Sequence, residues 1–525
     1  MNRSDFTNIF PACRSFLDAN TWGKMISECP DNENPDQFPD RMLSCCNSFN
    51  IPGFLPDLAR LEWAFLKTKQ QEIAIPDQLH EITINPTLQL LALGWKKLTD
   101  CLISSNPVFS DPGDEFVLIW KHSADGEVRA RAASAEDLLV LKMIVEEIDP
   151  KEAARIGDLP VVAVNAAIER AAETGILFVP RSRIRRDFPV IEPLSWSGEQ
   201  VLTSPVFTMQ WHITQACDLH CRHCYDRSDR SALSLDAALR ILDDMDRFCR
   251  KKHVNGQISF TGGNPLLHPD FLDIYRAASN FGFSLAIFGN PAPRKQIEAL
   301  IAIQPPDFFQ VSLEGLPEYN DFIRGKGHFN RVMDFLDLLR DIDVYSMVML
   351  TLTRDNHQQV IPLGERLRGR ADVFYFNRLA RVGEGASLEL PGKQDYISFL
   401  ENYLNASKEN PVLGLKDNLI NVLLHHKGME PFGGCTGFGC GAAFNFLSVL
   451  SDGDVHACRK FPSPIGSLLT QSLEEIYDSD IASRYRSGCA ECRQCSLRPV
   501  CGGCLACAYS HGLNIFEQKD PFCFL

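Results

Sequence analysis

The sequence predicts an α/β protein: a partial (β/α)6, TIM-like barrel preceded by a helical and winged-helix-like region and followed by a cysteine-rich domain. Three observations carry this. From Phe207 to about Leu379, apolar β runs alternate with amphipathic helical stretches, and such alternation implies a parallel sheet. Three cysteines, Cys217, Cys221 and Cys224, directly follow the first β run. Ten of the nineteen cysteines fall after Gly434.

The chain has 525 residues, enough for several domains. The expected order is a helical domain over 1–114, a winged-helix-like module over 115–181 and a linker over 182–204. The barrel follows over 205–400, then a connecting region over 401–434 and the cysteine-rich domain over 435–525. The formal net charge of −15 argues against a nucleic-acid partner, which would need a basic footprint. The first residues carry no apolar signal core. No apolar run approaches the ~20 residues of a membrane span, so the expected location is cytoplasmic, with no membrane partner. Cysteines in such a compartment point to metal ligation rather than disulfides. Six others (Cys13, Cys29, Cys45, Cys46, Cys101 and Cys249) are scattered, and most should be buried apolar filler.

Residues 1 to about 112 read as mostly helical, with breaks at 30–39 and 76–77. The firmest helix is Pro56–Leu66. Pro56 suits its first turn, and Leu58, Leu61, Ala64 and Phe65 recur at helical spacing. A Pro/Asp/Gly-rich break follows over 106–114. Glu115–Trp120 and Val128–Ala133 flank an Asp-Gly turn and read as a hairpin. Helices over 135–148, 150–156 and 161–175 follow, and 176–179 closes as a strand. Glu146, Glu147, Asp149 and Glu152 make this module too acidic to favour DNA. Its exposed strand edge suits capture of an extended peptide by strand addition.

In the central domain the strands are expected at 207–213, 257–261, 284–288, 308–313, 344–352 and 372–379. One helix should start at Ser234, a good N-cap, with Ala238, Ile241, Leu242, Met245, Phe248 and Cys249 buried. Reactive groups in such barrels stand at the carboxyl ends of strands, where the unusual residues fall. The first strand ends in the cysteine loop and the second in Thr261-Gly262-Gly263-Asn264-Pro265. The third ends in Gly289-Asn290, the fourth in Ser312-Leu-Glu314-Gly315, and the sixth runs into Arg378 and Arg381. Three thiolates can hold three corners of a [4Fe–4S] cluster and leave one iron open for a small molecule. A zinc knuckle with His220 or His223 fits the spacing alone equally well.

The C-x3-C-x2-C loop after the first strand, with the double glycine after the second, resembles the radical SAM family. That resemblance implies a [4Fe–4S] cluster on Cys217, Cys221 and Cys224, with S-adenosylmethionine on the open iron. One-electron cleavage of the sulfonium would give a 5′-deoxyadenosyl radical that abstracts a substrate hydrogen. It also assigns cofactor-binding roles. Gly262 and Gly263 would let backbone approach the methionine part, and His223 stands where the family packs a ring on the adenine. Ser312 and Arg324 match a pair after strand four, the Arg facing the ligand carboxylate. The family usually has Glu after the double glycine, and here Asn264 stands there. Weaker cofactor anchoring is expected, with Asn264→Glu tightening it.

Cys435-x4-Cys440-x17-Cys458, followed by Cys489, Cys492, Cys495, Cys501, Cys504, Cys507 and Cys523, resembles the SPASM extension of radical SAM peptide maturases. The resemblance implies two auxiliary [4Fe–4S] clusters. One would take Cys435, Cys440, Cys458 and Cys504, and the other Cys492, Cys495, Cys501 and Cys523. Cys501-Gly-Gly-Cys504 is one residue shorter than the usual spacing, so Cys507 competes with Cys504, and Cys489 is surplus.

The helix around Phe54–Trp63 resembles a domain of partner proteins in peptide-tailoring systems, and the 115–181 module resembles leader-recognition elements. With Phe260–Pro265 and Phe10-Pro-Ala-Cys13, the whole is similar to the thio(seleno)oxazole, or selenobiotic, peptide maturases. The implied activity is modification of a Cys- or Sec-containing ribosomal precursor peptide, with a flavodoxin- or ferredoxin-type one-electron reductant. Alternatives are a thioether-forming (sactipeptide or ranthipeptide) maturase, a sulfatase-type maturase, or a non-catalytic iron–sulfur protein that binds peptide or carries electrons. Sulfatase-type members carry an Asp base directly after the cysteine equivalent to Cys458. Here Arg459 counts against that chemistry.

Overall fold

Strands and helices alternate from Val206 to Arg378 in a computed structural model that describes residues 6–30, 34–73, 79–103, 110–186, 188 and 199–525. The chain divides into two units, Met1–Leu159 with Ala163–Arg181, and Pro160–Val162 with Ser182–Leu525. Of the breaks expected at 30–39, 76–77 and 106–114, residues 31–33, 76–77 and 106–109 lie outside the described residues, as do the linker residues 187 and 189–198; the helix Phe38–Phe49 begins inside the first break and the strand Asp111–Lys121 inside the last.

In the first unit, the strands are β1 (Thr83–Ile84), β2 (Gln89–Lys96), β3 (Asp111–Lys121), β4 (Val128–Ala132) and β5 (Leu177–Phe178). β2, β3 and β4 form an antiparallel sheet in that order, and β1 pairs with β5. The expectation of mostly helix before residue 112 is therefore corrected at 83–96. The run Leu90-Leu-Ala-Leu93 is compatible with helix or strand, and pairing with β3 decides it. The closing strand likewise pairs with β1 rather than with the hairpin. The helix Leu55–Gln70 buries Leu58, Leu61 and Ala64 as its spacing implies. It also buries Glu62, which accepts from the backbone N–H of Ala12 and Cys13 at 2.5 and 2.9 Å. Burial pushes Glu62 up to about 7, against those hydrogen bonds.

In the second unit, six parallel strands run in sequence order. They are β6 (Val206–Thr214), β7 (Asn255–Gly262), β8 (Ser284–Phe288), β9 (Phe308–Ser312), β10 (Ser346–Leu352) and β11 (Val373–Arg378). Their bounds fall within two residues of the expected ones. Three further strands, β12 (Phe446–Val449), β13 (Asp454–His456) and β14 (Pro464–Ser467), extend the sheet from the free side of β6. β12 is parallel to β6, and β13 and β14 are antiparallel. The cysteine-rich domain thus shares one mixed sheet of nine strands with the central domain.

Ser234 caps the helix Leu235–Lys252, accepting from the Ala237 N–H at 3.3 Å. The face expected to be buried is buried. Phe248 packs on Phe207 of β6, ring centroids 4.6 Å apart, and on Tyr477 at 5.2 Å. Each such fully buried ring contributes about 1.5–3 kcal/mol, so this cluster fastens β6, its helix and the C-terminal region together. Of the scattered cysteines, Cys13, Cys29, Cys101 and Cys249 are buried, while Cys45 and Cys46 are half-buried. Among the described residues no helix is long and apolar enough to cross a membrane.

Candidate active site

The carboxyl ends of the parallel strands open into a cavity of about 370 Å³. Cys217, Cys221, Cys224, Gly262, Gly263, Ser312 and Arg324 all line it. The loop after β6 is shaped by its own backbone, since the Cys224 N–H donates to the Cys221 carbonyl at 3.2 Å. The Leu219 N–H donates to Cys217 Sγ at 3.5 Å, and Asn290 Nδ2 approaches the same sulfur at 3.7 Å. Burial pushes the Cys221 thiol up, and the nearby Arg324 guanidinium pulls it back. A thiolate ligand gains from such a cation.

Glu314, which follows β9, is the buried anchor of this rim, and the sequence reading gave it no role. Its carboxylate oxygen Oε1 accepts from Arg324 Nε and Nη2 at 2.9 and 2.5 Å and lies 2.9 Å from His223 Nε2. Oε2 accepts from the Thr351 N–H at 2.9 Å. Burial alone would raise this carboxyl, but His223 and Arg324 outweigh it and hold it at about 2. Arg324 Nη1 reaches Cys221 Sγ at 3.6 Å. In this structure the partner of Arg324 is thus Glu314, where the resemblance implied a ligand carboxylate. His223 keeps a buried Nδ1 with no hydrogen-bond partner among the described residues.

The double glycine also meets a constraint inside the chain. A Cβ on Gly262, whose φ is +125°, would lie 2.2 Å from the Thr214 carbonyl oxygen. One on Gly263 would lie 2.2 Å from that of Ala216. Here the missing side chains make room for the backbone entering the cysteine loop. The Gly263 and Asn264 N–H groups donate to those same carbonyls at 2.8 and 2.7 Å. Asn264 does not line the cavity. Its Oδ1 accepts from the Leu266 N–H at 3.3 Å, and its Nδ2 donates to Asp218 Oδ1 at 3.0 Å.

A second cavity, of about 490 Å³, is lined by Cys435, Cys440, Cys458 and Cys504 together. It shares a wall with the first, including Phe288, Met349, Asn377, Arg378 and Arg459. Cys507 is fully buried behind Cys504 and does not line this cavity. The two thiols share a hydrogen bond that lowers Cys504 and raises Cys507. Cys492 neighbours Cys489, Cys495 and Cys501, and Cys501 neighbours Cys523. Cys489 is hydrogen-bonded to Cys492, which lowers the Cys489 thiol. Arg459 donates to Thr261 Oγ1 at 3.2 Å and stacks over Phe288.

Among the described residues, no three Cys, His, Asp or Glu side chains close on one point as a single metal ion would require. Ligands of a cluster bind different iron atoms and stand further apart. Three thiols on one loop, facing a cavity that borders an orphaned imidazole nitrogen, fit a cluster with an exchangeable small-molecule ligand. Four thiols around the second cavity fit a fully protein-ligated cluster.

Comparison with known proteins agrees with this donor set. Residues 211–367 match the radical SAM superfamily, and residues 440–505 match the SPASM iron–sulfur cluster-binding domain. The chain is similar to the AdoMet-dependent heme synthase of Methanosarcina barkeri, with 26% identity over 61% of this chain and 97% of the relative. It is similar to the mycofactocin maturase MftC of Mycolicibacterium smegmatis, with 26% identity over 62% and 84%. The antilisterial bacteriocin subtilosin biosynthesis protein AlbA of Bacillus subtilis shares 23% identity over 61% and 71%. The chain is an enzyme of the radical SAM type, and its cofactors are a [4Fe–4S] cluster with S-adenosylmethionine and auxiliary iron–sulfur clusters.

Proposed function

We propose that this radical SAM enzyme modifies a ribosomally synthesised precursor peptide containing Cys or Sec. The observation that carries the reading is the shared wall between the cavity of the three-cysteine loop and the cavity of Cys435, Cys440, Cys458 and Cys504. A peptide segment seated there reaches both centres. MftC and AlbA, a maturase and a bacteriocin biosynthesis protein, support the substrate class. The finer assignment, to thio(seleno)oxazole maturation of selenobiotic-type peptides, rests on the sequence resemblance.

In this reading Cys217, Cys221 and Cys224 hold the S-adenosylmethionine cluster. Cys435, Cys440, Cys458 and Cys504 hold one auxiliary cluster, and Cys492, Cys495, Cys501 and Cys523 the other. When bound, the first cluster and S-adenosylmethionine would supply the one-electron reductive cleavage of the sulfonium, whose product takes a hydrogen atom from the substrate. The chain's own residues prepare the seat for it. Glu314 locks the rotamers of His223 and Arg324, so the polar groups around the loop need no reorganisation. Phe288 and Met349 give the shared wall an apolar surface that limits water. Arg459, a cation, stands in this wall where a sulfatase-type enzyme places a carboxylate base, so that second reading loses its proton acceptor.

The β2–β3–β4 sheet supports the leader-recognition role of residues 115–181. Among the described residues β4 pairs with β3 alone, which leaves its outer edge to add a peptide strand. An electron-transfer protein would need neither this edge nor the ordered polar rim. The test is anaerobic turnover of reconstituted protein with S-adenosylmethionine, dithionite and a short Cys-rich peptide encoded beside the gene. Formation of 5′-deoxyadenosine with a mass decrease of the peptide is expected. A protein with its full iron content that makes neither would sink the proposal.

A further inference from the structure

Arg186 lies in the segment that precedes β6, and its side chain ends between two groups of C-terminal cysteines. The residue is only 4% exposed, and its backbone N–H donates to the Leu202 carbonyl at 2.8 Å. Nη1 donates to the carbonyls of Phe438 and Pro499 at 2.7 and 3.4 Å, and Nη2 to that of Cys440. One guanidinium therefore ties the loop of Cys440 to the loop that runs into Cys501. The approach is close enough to dictate the residue before Cys440. A Cβ on Gly439, whose φ is +69°, would lie 2.9 Å from both Arg186 Nη1 and the Pro499 carbonyl oxygen. The Phe444 ring covers the guanidinium at 3.9 Å.

Two more arginines share this place. A small cavity of about 20 Å³ is lined by Arg186, Arg486 and Arg498 together with Cys440, Cys489 and Cys492. Arg486 donates to the Ala443 and Tyr477 carbonyls at 3.0 and 2.7 Å, and Arg498 to the Ser487 carbonyl. Among the described residues, none of the three guanidinium groups pairs with a carboxylate. Arg324 and Arg378, by contrast, are met by Glu314 and by Asp417 and Asp520. A buried cation is costly unless an anion faces it. The acidic group that interacts most with Arg186 is Cys440, and for Arg498 it is Cys492. A [4Fe–4S] cluster on four thiolates is a net anion, and its potential follows the charges around it.

We propose that Arg186 and Arg498 are the shared counter-charge of the two auxiliary clusters and raise the reduction potential of both. A cation between two anions favours an added electron on either one. It also lessens the repulsion that an electron on one exerts on the other. Arg186 acts mainly on the cluster of Cys440, and Arg498 on that of Cys492. The inference rests on the assignment of two auxiliary clusters to these cysteines.

The test is a redox titration of the full-length chain, followed by electron paramagnetic resonance, with iron per chain measured in parallel. Cys217, Cys221 and Cys224 are changed to Ala so that auxiliary clusters alone are read. Each takes up one electron from the titrant, and Cys504→Ser, by removing one wave, assigns both. Arg186→Gln should lower the reduction constant of the Cys440 cluster about tenfold, which is about 59 mV for a one-electron couple, with iron unchanged. Arg186→Lys keeps the charge and should stay close to the parent. Arg498→Gln should shift the other cluster more. Equal shifts in Arg186→Lys and Arg186→Gln would overturn the proposal, because the hydrogen bonds and not the charge would be responsible. Unchanged potentials in Arg186→Gln and Arg498→Gln would overturn it too. If Arg186→Gln loses iron, Arg498→Gln, at a half-buried side chain, decides: a lowered potential upholds the counter-charge and an unchanged one overturns it. Parent protein without auxiliary iron would sink the cluster assignment, and the proposal with it.

Discussion

Arg378 and Asp520 form a bidentate pair, with guanidinium nitrogens 2.9 and 2.7 Å from the two carboxylate oxygens and both side chains at most 2% exposed. Asp520 Oδ2 also accepts from the Cys504 N–H at 2.8 Å. The last parallel strand and the loop of an auxiliary cysteine are therefore set by one carboxylate. Asp417, 2.7 Å from Arg378 Nε, adds a second carboxylate to the same guanidinium.

Removing Asp520 leaves Arg378 paired with Asp417 but strips the acceptor from two buried guanidinium N–H groups and from the Cys504 N–H. Asp520→Ala should destabilise the second unit by on the order of 3 kcal/mol and reduce auxiliary iron. Denaturant midpoints and iron counts check both. Unchanged values would show that Asp417 suffices.

Glu314 gives a pH dependence with a definite sign. Its folded value, about 2, lies below the ordinary 4.5. The unfolded chain therefore takes up the proton first, and stability falls with falling pH. The contribution is fully present above about 4.5 and is lost progressively as pH drops towards about 2. Glu314→Gln should lack this part of the acid dependence, as read from unfolding midpoints of the two proteins across that window.

Cys504 and Cys507 can be told apart by counting iron. In a background with Cys217, Cys221 and Cys224 changed to Ala, Cys504→Ser should lose about one cluster's iron per chain, since four ligands hold such a cluster. Cys507→Ser should keep it. The reverse result would move the ligand to Cys507.

Gly263→Ala is expected to distort the cysteine loop, because its Cβ has no room beside Ala216. Overpacking of about 1–3 kcal/mol should appear as a lower unfolding midpoint and weaker S-adenosylmethionine binding. Normal binding would show that the loop can shift without consequence.

The six parallel strands were legible because each is a short apolar run set between amphipathic helical stretches, a pattern local to the chain. What escaped is non-local. Leu90–Leu93 carries no period that separates helix from strand, and its partner β3 lies beyond a break. Strands β12 to β14 are only three or four residues long, too short for a period to show. The expected cysteine-rich domain was visible, but not that it continues the central sheet. Glu314 and Asp218 were ordinary acids in a motif until folding set Arg324, His223, Asn264 and Asn290 against them. The glycines were read for the room they leave a ligand; that the Thr214 and Ala216 carbonyls also use the space of the missing side chains is a contact a sequence does not show.

The joining of β12 to β6 has a consequence for how the chain is made. A ribosome that has released residues up to Arg378 has delivered six strands, yet one flank of the first still shows bare backbone donors and acceptors. That flank waits for Phe446–Val449, more than two hundred residues downstream of β6. Until then it is a raw border to which any passing strand can adhere. A product truncated before residue 446 should therefore collect in the insoluble fraction, even though its six parallel strands are all present.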